Sequence, residues 1–398
     1  MRKYLNNIGP GILVTAAFIG PGTVTVCLLA GNSYTFQLLW AILFSVAATI
    51  ILQEMSARLG LVTKAGLSEA IRTLITNKIS RNLVFGLIAT GILMGNAAYE
   101  AGNISGTMIG LKVIFGPSVS ELTCNTVIYS LSGLLLYFGS YKNLENFFIA
   151  IVGLMSICFI AASVITHPPV PSIMHGLFYP QIPDGSILTI VGLVGTTVVP
   201  YNLFLHAAII KNKWQNTSDL SAVRKDTFFA ILIGGVISAC IIITGASTTG
   251  TSINSISDLA LSFDNIYGKW GSFLFGFGIF AAGFTSTLTA PLAAAMVAHG
   301  LMGWKDDIKD YRFRMVWLSI LTAGFLFSSV GYKPIEIIKL AQFANGLLLP
   351  LIAVFLIWVV NQQKVMGAYK NTCWQNWMGC IVLLVTILLG IKGIAGLF

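Results

Sequence analysis

Long apolar stretches, repeated along almost the whole chain, leave this sequence few ways to fold. Eleven of them are long enough to cross about 30 Å of hydrocarbon, beginning near Ile8, Phe36, Leu83, Leu122, Asn146, Ile187, Thr227, Gly271, Met315, Pro334 and Trp377. In hydrocarbon every backbone amide and carbonyl needs a partner within the protein, so stretches of this kind must be helical. Only 9% of the residues are charged, against about 25% in soluble domains. The expected fold class is an all-α polytopic membrane protein whose first partner is the lipid bilayer.

The net charge of +9 is an orientation signal and gives no reason to expect a nucleic-acid partner. With the amino terminus in the cytoplasm, eighteen of the twenty-three Lys and Arg fall on the inner side, including Arg2, Lys3, Arg58, Arg224, Lys305, Lys309 and Lys370. The outer loops hold Lys112, Lys269 and Lys333. That asymmetry places the carboxyl terminus outside and suits a protein of the cell (inner) membrane. Met1-Arg2-Lys3 precedes an apolar run with no small-residue cleavage pattern, so it reads as the start of a retained first helix. The six cysteines show neither paired nor metal-ligand spacing and read as small apolar residues.

Two of the stretches are interrupted, at Gly20-Pro21-Gly22-Thr23 in the first and at Val199-Pro200-Tyr201-Asn202 in the sixth. Proline removes an amide donor, frees the facing carbonyl and disfavours helix in the residue before it. Freed backbone at membrane depth is tolerated where it is buried in protein or lines a wet cavity, and paired interrupted spans point to a transport site near the midplane. A pair of simple kinks is the plainer alternative. With breaks in spans one and six, the chain reads as a single transporter domain. It has a first repeat of five helices over about 7–166, a second over about 187–361 and an extra helix over about 374–397. Five is odd, so the second repeat enters the membrane inverted. The connection from His167 to Gly185 holds five prolines and is expected to be an irregular outer cap.

Polar groups at membrane depth are costly and suggest function. Glu100 lies near the middle of span three with Asn96 at i−4 and Asn103 at i+3, all on one helix face that cannot face lipid. Its expected role is proton exchange; a structural carboxyl bonded to a neighbouring helix is the alternative. His206, in the second half of span six, is a candidate to reach the inner vestibule and continue a proton path, with Asn103 and Tyr201. Glu54 and Arg58, at i and i+4, form an expected structural pair, Arg58 reaching the interface by snorkelling. Asp258 and Asp264 read as solvated loop acids. Thr285, Ser286, Thr287 and Thr289 in span eight fit close packing and leave a subsidiary ion role open. Gln342 and Asn345 in span ten need polar partners, which the broken helices can supply.

Several of these motifs together resemble the Nramp family of proton-coupled divalent-metal transporters. They are Gly9-Pro10-Gly11, the Gly20-Pro21-Gly22-Thr23 break, Leu52-Gln53 with Ser56-Ala57-Arg58-Leu59-Gly60, Pro200 to His206, Gly283 to Thr287, and Gln342 with Asn345-Gly346-Leu347-Leu348-Leu349-Pro350. The resemblance covers nearly the whole chain and implies a leucine-transporter-like inverted repeat of five plus five helices. The family's first break reads Asp-Pro-Gly-Asn and its second Met-Pro-His. Here the matching positions hold Gly20, Thr23, Val199 and Tyr201, so the side chains that grip the metal are missing. Of two span-three acids, Glu100 matches one and Asn103 replaces the other.

The expected function is therefore a proton-linked secondary transporter of a divalent metal or other inorganic cation, with Gly20, Thr23, Val199, Gln342 and Asn345 lining an atypical substrate site. A small zwitterion, carboxylate or other anion at the positive end of a half-helix is the alternative, and a non-transporting sensor is a second. No nucleotide-binding loop, resident cofactor site, or nucleophile-and-base pair is read, so the chain is not expected to be an enzyme.

Overall fold

A computed structural model describes residues 9–116, 118–138, 141–249, 264, 268–304, 310–331 and 333–395. The amino-terminal residues 1–8, Asp258, Lys305 and Lys309 lie outside the described residues. The first interrupted stretch forms α1 (Pro10–Phe18) and α2 (Pro21–Tyr34). There follow α3 (Leu39–Thr63), a short α4 (Leu67–Leu74), α5 (Lys78–Phe115), α6 (Glu121–Phe138), α7 (Tyr141–Ile165) and a short α8 (Val170–Phe178). The second interrupted stretch forms α9 (Ile187–Thr197) and α10 (Pro200–Ile210). Then come α11 (Leu220–Ala246), α12 (Gly271–Met302), α13 (Tyr311–Ser329), α14 (Pro334–Val360), the single turn α15 (Gln363–Met366) and α16 (Cys373–Ala395). Among the described residues, counting each broken pair as one and leaving out the short α4, α8 and α15, eleven helical segments remain as candidates to cross. Among the described residues seven spans pass on length and hydropathy alone. Several helices begin up to two turns ahead of their apolar stretch because polar first turns, such as that of α5 capped by Asn77 Oδ1 on the Ile79 and Ser80 amides, sit outside the hydrocarbon.

Both breaks have the same local cause. Gly20 and Val199 are extended, at φ −108° and −76°, and Pro21 and Pro200 each open a new helix in its first turn, where a missing amide costs nothing.

Lipid tails are as apolar as leucine, so helices here are held by close packing of small residues. Gly60 of α3 lies against the carbonyl of Ala207 in α10, and Gly245 of α11 against the carbonyl of Leu28 in α2. These two contacts join corresponding elements of the two units, span two to the second half of span six and span seven to the second half of span one. Between them α5 and α12 form the most extensive helix pair of the fold. Paired contacts of this kind are what inverted repeats produce, and they survive where residue identity between the halves does not.

Three expectations change. The connection from His167 to Gly185 is not irregular throughout: Val170–Phe178 is a helix turned 120° from the end of α7. Pro171 sits in its first turn, Gly176 rests on the Phe36 carbonyl, and Trp40 Nε1 donates to the Gln181 carbonyl at 2.8 Å, which pins the cap to the start of α3. Arg58 does not snorkel. It is 1% exposed; Nε bonds Glu54 Oε1 at 3.1 Å, Nη2 bonds Asn371 Oδ1 at 2.6 Å and Nη1 bonds the Tyr369 carbonyl. With four hydrogen bonds to acceptors on three residues, the guanidinium gains more inside than at the interface. Asp264 is not merely solvated, since its Oδ1 accepts from the Ser272 amide at 2.9 Å and so satisfies a first-turn donor of α12.

Candidate functional site at the two helix breaks

The chain between α1 and α2 leaves carbonyls without helical partners, and the surrounding helices answer them. Tyr99 of α5 and Tyr201 of α10 both donate to the Ala17 carbonyl, at 3.4 and 3.1 Å, with their rings edge to face at 5.6 Å. The Thr23 hydroxyl donates to the Phe18 carbonyl and pairs with the Thr196 hydroxyl of α9 at 2.6 Å. The first break is thereby tied to both halves of span six. Asn202 Nδ2 adds a long bond of 3.4 Å to the Val14 carbonyl.

At Gly20 the backbone runs free of any side chain, but the adjacent space is filled. A methyl there would stand 2.6 Å from Ser286 Oγ of α12 and 3.2 Å from the Tyr99 hydroxyl. Gln342 of α14 lies flat against Gly22, with no room for a methyl between them. Among the described residues Ser286 Oγ and Gln342 Oε1 are buried without a partner, as is Asn345 Nδ2 one turn further along α14 on the side of Gly95 in α5. Val199 is 1% exposed and offers only hydrocarbon to the second break. Beside the breaks, α2, α9 and α14 line a mostly apolar, half-open cleft of ≈ 450 Å³ bordered by Val26, Leu29, Leu188, Thr189, Glu336 and Phe343.

The expected proton residues fall into three places. Glu100 is fully buried, accepts from Asn103 Nδ2 through Oε2 at 3.2 Å, and leaves Oε1 unpartnered. Its stem packs on Gly324 of α13, while Asn96 donates to the Ala290 carbonyl at 3.0 Å, so the shared polar face does turn inward. Tyr201 sits at the break with Tyr99. His206 is held elsewhere, its Nδ1 2.9 Å from Gln53 Oε1 on the seam between α10 and α3, with Nε2 unpartnered. A glutamine oxygen accepts, so the proton of a neutral ring is assigned to Nδ1. Tyr99 and Thr196 received no role from the sequence. The available signal for Tyr99 was a hydroxyl on a mid-membrane turn next to Glu100; Thr196 carried none, because a threonine in an apolar helix ordinarily bonds its own backbone.

The family model for natural resistance-associated macrophage protein-like proteins matches residues 11–396. The chain belongs to the Nramp family. Among the relatives of this Nramp chain is the divalent metal cation transporter MntH of Bradyrhizobium diazoefficiens, 27% identical over 99% of this chain and 90% of the relative. A manganese transporter of Eremococcus coleocola, solved in complex with an aromatic bis-isothiourea compound, superposes with a TM-score of 0.82 at 22% identity, covering 98% of this chain and 86% of that one. The structure of MhsT with L-phenylalanine bound superposes at 0.67 with 15% identity, over 96% of this chain and 98% of the other. The fold is the leucine-transporter-like one. This Nramp chain is accordingly a polytopic membrane transporter by fold and family, and its departures from the family pattern fall at the breaks, where Gly20, Thr23, Val199 and Tyr201 stand, and in span three, where Asn103 stands.

Proposed function

We propose that the chain carries a hard inorganic cation, magnesium or manganese, coupled to protons, between the two helix breaks. One observation carries this reading beyond family membership: Ser286 Oγ, buried and without a partner among the described residues, stands beside Gly20, and the side-chain amide of Gln342, whose Oε1 also lacks a partner there, packs on Gly22. Oxygen donors suit hard cations, and softer sulfur ligands suit transition metals. Among the described residues there is no cluster of three or more His, Cys, Asp or Glu, which fits a cation bound more weakly than a carboxylate site would bind it. Gly20, Thr23, Val199, Gln342 and Asn345 line the cargo site in this reading, and the cleft between α2, α9 and α14 is its outer approach.

Glu100 is the proton carrier, with Asn103, Tyr201 and His206 along its path. The chain, read as two repeats of about 7–166 and 187–361, works by rocking one helix bundle against another, with the amino terminus in the cytoplasm and the carboxyl terminus outside. The relatives' names speak of divalent metal cation transport, and this supports a cation over an anionic or zwitterionic solute.

The test is uptake into proteoliposomes under an inward proton gradient, comparing manganese and magnesium with a panel of small amino acids and carboxylates. Saturable cation uptake is expected. Uptake of an organic solute with no cation uptake would overturn the reading. Labelling of the exposed Cys373 by a membrane-impermeant thiol reagent, expected only from the cytoplasmic side, tests the orientation.

A further inference from the structure

We propose that Ser286 and Tyr99 together set the cargo selectivity of this transporter: they occupy the volume into which an acidic side chain at position 20 would project, and they supply neutral oxygens there instead. The inference rests on the cation reading above for its second half only; the first half is spatial.

The spatial part follows from the surroundings of Gly20. A single added methyl would come within 2.6 Å of Ser286 Oγ and 3.3 Å of Ser286 Cβ. The first distance is well inside van der Waals contact, so one of the two must move. A carboxylate reaches further still, toward the Tyr99 hydroxyl, only 3.2 Å from the methyl position. Neither neighbour has much freedom. Ser286 is fully buried on α12, whose neighbouring turns pack against α5 through Gly283 and Thr107 with no gap. Tyr99 is fully buried and bonded to the Ala17 carbonyl. The glycine and the serine are therefore a coupled pair: close-packed interiors reject added atoms unless volume is removed nearby.

The chemical part follows from what remains. Ser286 Oγ has no partner among the described residues, and burying a hydroxyl without one is costly. A bound cation would satisfy it, with the Tyr99 oxygen converging on the same point. Two neutral oxygens leave a divalent ion's charge largely uncompensated, so the pair favours an ion that keeps most of its water shell over one that must be stripped of it.

The experiment uses the full chain purified in detergent, with manganese binding measured by titration calorimetry and folding by melting temperature. The variants are Gly20→Asp, Ser286→Ala and the two combined. Gly20→Asp alone should lower the melting temperature and leave manganese affinity within about twofold of the parent, whereas adding Ser286→Ala should recover the melting temperature. The combined variant should tighten manganese binding by roughly tenfold or more, the scale on which changes around a metal move its affinity. Ser286→Ala by itself should lower cation uptake in proteoliposomes and shift the manganese-to-magnesium ratio, which a purely structural role would not move. A single Gly20→Asp that melts normally and binds manganese as tightly as the combined variant would overturn the proposal. So would a folded combined variant with no gain. If the parent carries no cation yet the combined variant gains manganese affinity, the cargo reading fails while the coupling of Gly20 to Ser286 stands.

Discussion

Thr23 shows how one hydroxyl can hold a broken helix together. Its Oγ1 meets the Phe18 carbonyl on one side and Thr196 on the other, linking α1, α2 and α9. Thr23→Val keeps the shape and strands both partners in a dry site, so the expected cost is about 1–3 kcal/mol, read as a lower melting temperature with the protein still inserted. Glu100 poses a functional question at the same scale. Glu100→Gln preserves size and the bond to Asn103 while removing the ionisable proton. Transport by this variant should lose its response to an imposed pH gradient; coupling that persists unchanged would remove Glu100 from the mechanism. Gly20 and Glu100 were both visible as residues out of place in an apolar run. Ser286 was visible only as one small polar residue among several, because nothing local says which of four neighbouring hydroxyls faces a break.

Whole elements are placed by their ends. The first turn of α1 presents unpaired amides, and Asp226 of α11 takes two of them: Oδ1 accepts from Gly9 at 2.8 Å and Oδ2 from Gly11 at 2.9 Å. Both glycines lie so close to Asp226 that any side chain would displace it. This carboxylate caps a helix from another helix, with the dipole of α1 adding to the bonds. Asp226→Ala should cost about 1–2 kcal/mol, and amide exchange over residues 9–14 should quicken relative to α3, which serves as an internal reference. Equal exchange in both proteins would show that the start of α1 is held by packing alone. The sequence motif Gly9-Pro10-Gly11 was legible; its partner 215 residues away along the chain from Gly11 was not, since sequence distance carries no record of contact.

For the molecule as a whole, α3, α11 and the segment before α16 are fastened together by charge. Glu54 Oε1 receives Arg58 Nε at 3.1 Å and Arg224 Nε at 2.8 Å, so α3 is joined to α11, and Arg58 reaches on to Tyr369 and Asn371 before α16. Arg58 is 1% exposed and Glu54 17%. Removing one partner of a buried pair leaves an uncompensated charge, a cost of about 3 kcal/mol at the low end of the usual range, given the partial exposure of Glu54. Glu54→Ala should therefore melt markedly lower than Arg224→Ala, whose exposed guanidinium contributes little. Equal melting temperatures would place the weight of the network elsewhere.

The all-helical membrane fold, the two breaks and the inward polar face around Glu100 follow from local rules that hold wherever such residues occur: apolar length, proline geometry and the cost of a bare charge in hydrocarbon. Parity then makes the second repeat inverted before any contact is known. The short helix Val170–Phe178, the internal saturation of Arg58 and the separation of His206 from Glu100 depend on neighbours distant in sequence, and so does the filling of the space beside Gly20 by Ser286 and Tyr99. A missing aspartate is a fact about one position. What replaced it is a fact about α5 and α12 meeting the first break at the same point, and close packing of three separate segments is a property that exists only once the chain has folded.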